Sequence, residues 1–272
     1  MAVILSTWPF GIALGLFVQP ALAGLFGWRA MMLLAAGACV LSLLLISICY
    51  DTPVADFDST PQGGMATRRQ RALPSWPTLA PVIVAGMIWG MFNGGLVVYF
   101  SFAPAFLAEH ASLTIARSGA LVSLALWVGM VSIPVGGYVA QRSNRQYAIV
   151  VLFCLIAVSA LLMLVAGARP AFACVVLGLA IGPPPGVITA LPTRILPAAD
   201  RAAGFGVFYT LHYLFQATSP ALAGWLHDAA GSNAAILFAA VLFAVPLPLL
   251  ALFEFLVRRS SLVASPRPAA VR

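Results

Sequence analysis

Charge is scarce in this sequence, and lysine is absent from it. Only 8% of the 272 residues are charged while 62% are hydrophobic; a soluble domain carries roughly 25% charged residues. One soluble core of this length cannot bury so much apolar surface, which excludes an ordinary globular domain and makes lipid the natural solvent. Cysteine is sparse and scattered. Cys39, Cys49, Cys154 and Cys174 form no CxxC pair, and each lies in or at the end of an apolar run. They read as small buried hydrophobes, so no disulfide, metal site or cofactor is expected. The two-residue alternation of a membrane β-barrel is also missing. The net charge of +7 comes from Arg spread between apolar runs, not gathered in one patch, so nucleic acid is not an expected partner.

What is present is a series of long apolar runs. A spanning helix needs about 20 mostly apolar residues, and eight stretches qualify: 3–25, 30–49, 80–107, 118–140, 147–167, 171–192, 203–226 and 233–257. Backbone polar groups in lipid must be paired internally, so these runs are expected to be helices. The fold class is an all-α membrane protein with eight transmembrane helices. Ala21-Leu22-Ala23 resembles a signal-peptide cleavage site, but no positive charge precedes the apolar run.

Arg placement sets the expected orientation. Arg68, Arg69, Arg71, Arg142, Arg145, Arg194, Arg201, Arg258, Arg259, Arg267 and Arg272 fall on one side of the spans, and only Arg29, Arg117 and Arg169 on the other. The richer side is expected to be cytoplasmic, which puts both termini in the cytoplasm and the chain in an inner or plasma membrane. The polar stretch 51–79, with four prolines and Asp51, Asp56 and Asp58, reads as a cytoplasmic linker.

Pro20-Ala21-Leu22-Ala23-Gly24 recurs as Pro220-Ala221-Leu222-Ala223-Gly224, an offset of 200 residues or six helices. Such a period suggests an internal repeat. It makes the first two helices the end of one unit and the last six a complete second unit, with four further helices expected before Met1. Three stretches then carry a family likeness. Gly137-Tyr138-Val139-Ala140-Gln141-Arg142-Ser143-Asn144-Arg145 resembles the loop motif G-x-L-A-D-R-x-G-R of the major facilitator superfamily. Gly15 to Gly24, with Gln19-Pro20, resembles the family's fifth-helix motif, although Gln19 stands where a glycine is usual. Leu191-Pro192 through Arg201, Gly204, Gly206 and Pro220 to Asp228 resembles its tenth-to-eleventh helix region. Gln141 replaces the motif's acid, which removes an ion-pair partner, and Asn144 replaces a glycine, which Asn tolerates.

The resemblance implies two six-helix halves. Residues 1–50 would be the last two helices of the N-terminal half, 51–79 the linker, 80–258 a complete six-helix C-terminal bundle and 259–272 a cytoplasmic tail. It implies a secondary active transporter that moves a small organic or inorganic solute by alternating access, with a coupling proton left open. An intramembrane enzyme and a non-transporting membrane protein are the alternatives. An enzyme would want a nucleophile with its base, two acids or a ligand set within a span, and no such pair is found in the sequence.

Several residues are candidates for function. Tyr209, His212, Tyr213 and Gln216 are spaced i, i+3, i+4 and i+7 and share one helical face near mid-span. Polar groups there must be paired or face water, so the face reads as a solute cavity or a helix–helix contact. His212 has an unperturbed pKa of about 6.5 and is a candidate proton carrier. Trp89 and Asn93 share a second face, on a helix where Gly94-Gly95 and Pro104 are expected to bend or break the backbone; Tyr99 lies further out. These seven are the candidate solute-binding residues. Pro183-Pro184-Pro185 are expected to kink the sixth helix. Together with Pro20, Gly137, Arg142, Arg145 and Pro220 they are the candidate gating and hinge positions. No catalytic residue is expected.

Overall fold

The computed structural model describes residues 2–49 and 74–264. The expected linker as far as residue 73, with its three Arg, lies outside the described residues. So do the tail beyond 264 and the side chain of Gln141. Among the described residues the elements are helices: α1 (Ala2–Cys49), α2 (Trp76–His110), α3 (Ile115–Arg142), α4 (Gln146–Val165), α5 (Pro170–Ile181), α6 (Pro183–Ile188), α7 (Arg201–Ala230), α8 (Ser232–Ala244) and α9 (Pro246–Ala264). Two 3₁₀ turns, Pro192–Arg194 and Ala198–Asp200, join α6 to α7.

Six stretches are long and apolar enough to cross a membrane: Phe10–Cys49, Trp76–His110, Ile115–Ala140, Gln146–Val165, Pro170–Arg194 and Ser232–Arg259. The eight expected from the sequence differ from these six at two places. The first two expected spans form the single element α1, interrupted only at Gly27, where φ is 78° and ψ is 161°. Only glycine occupies that region readily. The other difference is α7. Its 30 residues reach about 45 Å, which is ample, but Tyr209, Thr210, His212, Tyr213, Gln216, Thr218 and Ser219 make it too polar to count as an apolar span.

The repeated pentapeptides occupy matching local settings. Pro20–Gly24 ends a helical stretch that breaks at Gly27; Pro220–Gly224 lies in the last part of α7, which breaks at Gly231 with φ 86° and ψ 174°. In both copies the next helix starts directly after the glycine. The second copy is one turn longer before its break.

The chain divides into two compact units, residues 18–71 and residues 1–17 with 72–272. In the first, the described residues form a helix with largely exposed apolar side chains, among them Leu33, Leu43 and Ile48. Its serines return their hydroxyls to their own helix, Ser42 to the Ala38 carbonyl and Ser47 to the Leu43 carbonyl, both at 2.8 Å. This lets a hydroxyl stand on a lipid-facing helix.

In the second unit α2 is the most deeply buried span. It packs against α3, α7, α8 and α9. Phe92, Tyr99 and Phe106 of α2 join Phe208 of α7, Phe243 of α8 and Phe253 of α9 in the core. The outward faces of α4, α5 and α8 are apolar as well, with Leu152, Leu155, Phe172 and Val241 exposed. That pattern suits a bundle solvated by acyl chains.

Two proline clusters shape the later spans. Pro183, Pro184 and Pro185 have no N–H to give the carbonyls of Leu179, Ala180 and Ile181, and the helix is interrupted at Gly182, between α5 and α6. Pro246 and Pro248 similarly withhold donors from Leu242 and Ala244 where α8 passes into α9. By contrast, α2 runs unbroken through Gly94-Gly95 and Pro104. Of the expected bend or break, the break is absent. The glycines instead make room for neighbouring helices: a Cβ on Gly95 would sit 3.0 Å from the Phe243 ring and 3.2 Å from the Ala239 carbonyl oxygen.

Candidate functional site

The most extensive helix contact in the second unit is α2 against α7, and small residues bring the two backbones together. Gly86, Gly90 and Gly94 are spaced by four, so they form one stripe along α2. A Cβ on Gly86 would lie 2.9 Å from the Phe208 carbonyl oxygen, and one on Gly90 2.9 Å from Phe215 Cβ and 3.3 Å from His212 Cα. On Gly94 it would meet Ser219 Oγ at 2.5 Å. The α7 backbone therefore rests almost directly on α2, as small-residue stripes allow in membranes. Ser219 donates to the Phe215 carbonyl at 2.5 Å, keeping its hydroxyl satisfied inside the seam.

This approach delivers His212 to α2. Its ring stacks on Trp89, with centroids 5.5 Å apart and planes at 26°, and the imidazole faces the Trp89 main chain. Trp89 stacks in turn on Phe92 at 5.9 Å. Asn93, one turn on, donates its side-chain amide to the Trp89 carbonyl at 2.9 Å. On the other side of His212 stand Tyr213, with centroids at 4.7 Å, and Tyr209, at 6.2 Å. His212 is buried, yet its Nδ1 has no hydrogen-bond partner among the described residues. Tyr209 and Tyr213 are exposed, 40% and 62%, and Gln216 is half-buried.

The two faces read from the sequence thus meet at Trp89 and His212. The α7 stripe is not uniform, however. His212 points into the seam, Tyr209 and Tyr213 stand at its open edge, and Gln216 lies between these settings. Tyr99 is elsewhere. It is 1% exposed, and its hydroxyl meets Cys174 Sγ of α5 at 3.2 Å. Ten residues along α2 carry it about 15 Å from Trp89, so it does not join the group. Between Trp76 and Leu107 on α2, and between Ala202 and His227 on α7, no Arg, Asp or Glu occurs. This face offers aromatic rings, hydroxyls, amides and one imidazole. Among the described residues, no group of three or more His, Cys, Asp or Glu is placed to hold a metal.

The hinge candidates are spread more widely. Pro20 and Pro220 lie within α1 and α7. Pro183–Pro185 open α6, where Thr189 donates its hydroxyl to the Pro185 carbonyl at 2.7 Å. Gly137 borders open space, while its neighbour Gly136 is the position of close approach: a Cβ there would lie 2.5 Å from Pro183 Cγ. Ser132 ties α3 to α5 by donating to the Gly178 carbonyl at 2.8 Å. Arg142 ends α3 with its guanidinium 4.3 Å above the Tyr138 ring, and Arg145 begins α4 with its N–H on Ser143 Oγ at 3.1 Å. Sequence reading missed Gly86, Gly90, Ser132 and Gly136. Their four-residue spacings, 86–90–94 and 132–136, were the available signal.

A groove of about 650 Å³ lies apart from the Trp89–His212 group, along α3, α4 and the α5–α6 break. Its lining is apolar except for Ser132, whose hydroxyl is already engaged.

Residues 1–214 match the sequence model described as Major Facilitator Superfamily. No curated protein and no solved structure matches the chain.

Proposed function

The chain belongs to the major facilitator superfamily, and from that premise we propose that α2 and α7 carry its solute site. Membership makes it a multi-pass membrane protein of a secondary-transporter family, with a small solute and a lipid bilayer as partners. The carrying observation for the site is the buried imidazole of His212, whose Nδ1 has no partner among the described residues, set between Trp89 and the exposed rings of Tyr209 and Tyr213. A polar atom left unpaired in a membrane bundle costs free energy unless something else satisfies it. We assign that role to the solute or to water in its path. Tyr209, Tyr213, Gln216 and Asn93 supply hydroxyls and amides around it, and Trp89 supplies a flat apolar surface. Recognition of this kind suits an uncharged or weakly polar molecule with an apolar part. It does not suit a strongly charged one, because α2 between Trp76 and Leu107 and α7 between Ala202 and His227 carry no Arg or acid.

In this reading α7 is a seventh span, its low hydropathy being the consequence of lining a wet face, and α1 supplies two spans hinged at Gly27, giving eight. The complete six-helix half is 80–258. The Arg asymmetry puts the linker and tail in the cytoplasm; a reporter fused after Arg272 should work only in its cytoplasmic form, and its export would overturn the orientation. The proline-interrupted α5–α6 span bends during alternating access. A second reading gives His212 the coupling proton, and the same unpartnered Nδ1 favours it. Uptake of labelled solutes into vesicles holding the purified chain tests the site. Saturable flux whose KM rises several-fold in Tyr213→Ala supports it, and saturable flux indifferent to Tyr209→Ala and Tyr213→Ala contradicts it.

A further inference from the structure

We propose that the groove along α3 and α4 holds an acyl chain of an anionic phospholipid, whose phosphate rests between Arg142 and Arg145. The proposal goes beyond the solute site and involves none of its residues. It begins with register. On α3 the groove is lined by Val128, Val131, Val135 and Val139. Steps of three and four residues keep these on one face, and the next step from Val139 is Arg142. On α4 the lining residues are Ile149 and Phe153, and the preceding position in the same stripe is Arg145. Ile149 N–H donates to the Arg145 carbonyl at 3.3 Å, so that turn is formed. Each apolar stripe therefore ends in an Arg. Because α3 ends and α4 begins around Ser143-Asn144, both Arg stand at the same end of the groove.

The chemistry of the two parts differs sharply. The groove gives no polar group to a polar solute, since Ser132 donates to the carbonyls of Gly178 and Gly129 at 2.8 and 3.3 Å. Its floor is the side chains of Leu179 and Pro183. The mouth carries two exposed guanidinium groups with no carboxylate within 4.0 Å among the described residues. The Tyr138 ring beneath Arg142 holds that guanidinium without neutralising its charge. Guanidinium pairs recognise phosphate oxygens at several points, and basic positions between spanning helices attract anionic head groups. An apolar slot that ends in paired positive charge matches a molecule with a long hydrocarbon chain and a phosphodiester, which is a phospholipid. At about 650 Å³ the groove suits one chain, leaving the second against the outer face.

The test is lipid retention by the purified full chain in mild detergent, measured by native mass spectrometry after equilibration with equal phosphatidylglycerol and phosphatidylcholine. Phosphatidylglycerol should be retained in preference. Arg142→Gln with Arg145→Gln should lower that retention roughly 30-fold, while the paired Lys replacements should keep most of it. Val135→Trp, which fills the slot and leaves both Arg in place, should also expel the lipid. Glycerol phosphate, the same head group without chains, should not compete. Equal retention of the two lipids, or full retention by the double Gln variant, overturns the proposal. So does displacement by glycerol phosphate, which would mark the Arg pair as a simple anion site.

Discussion

Trp89 of α2 and His212 of α7 lie ring on ring, 5.5 Å between centroids, although 123 positions separate them in the chain (212 − 89). The contact is possible because glycines replace side chains along α2 exactly where α7 crosses. It joins the one imidazole buried at mid-span to the indole of the neighbouring helix, and it leaves the Tyr209 and Tyr213 rings at the open edge.

The seam should be intolerant of a single methyl group. A Cβ at Gly94 would sit 2.5 Å from Ser219 Oγ, so Gly94→Ala should lower stability by about 1–3 kcal/mol. Ser219→Gly removes the obstructing atoms and should restore much of the loss. Thermal unfolding of the two single variants and the double variant in detergent gives the coupling. A fully additive cycle would show that α7 does not rest on Gly94.

Pro185→Ala should rigidify the α5–α6 span. It supplies an N–H for the Ile181 carbonyl, while Pro185 is only half-buried, so little packing is lost. The expected outcome is equal or higher thermal stability with a transport rate several-fold lower. Unchanged transport together with raised stability would remove the proline run from the gating cycle.

His212→Gln keeps a hydrogen-bonding side chain of moderate size but cannot bind a proton near neutral pH. If the imidazole carries the coupling proton, flux in this variant should lose its pH dependence between about pH 5 and 8 and proton-driven accumulation should cease. A pH profile parallel to that of the unmodified chain would assign His212 to solute hydrogen bonding alone.

Much of the fold was legible because membrane solvent imposes a blunt rule: long apolar runs must be helices. The runs at 80–107 and 118–140 fall inside α2 and α3, and the run at 147–167 overruns the end of α4 by two residues. The proline triplet announced the α5–α6 interruption, since missing N–H groups have the same effect in any packing context. Gly94-Gly95 was ambiguous for a related reason. A glycine pair signals either a flexible backbone or a close neighbour, and only the position of α7 and α8 decides between them. The polar stripe on α7 was visible from spacing, and its meeting with Trp89 was not, because helical periodicity carries no information about which helix is opposite. Tyr99 shows the same limit. The sequence shows Tyr99 on the same helix as Trp89, and not that its hydroxyl meets Cys174, 75 residues away.

The central claim, that the edge of the α2–α7 seam faces solute and water, is tested most directly by cysteine accessibility. With Cys39 and Cys49, which are exposed, first changed to Ser, single Cys replacements are placed at Tyr209, Tyr213 and Gln216, and at Leu152 on the apolar outer face of α4. The chain is embedded in vesicles and treated with a small, charged, water-soluble thiol reagent, with and without transported solute. The account predicts labelling at Tyr213 and Gln216 at least tenfold faster than at Leu152, slowed by solute. Labelling at all three α7 positions as slow as at Leu152, in every condition that reorients the carrier, would contradict it and make the stripe a lipid-facing or packing surface.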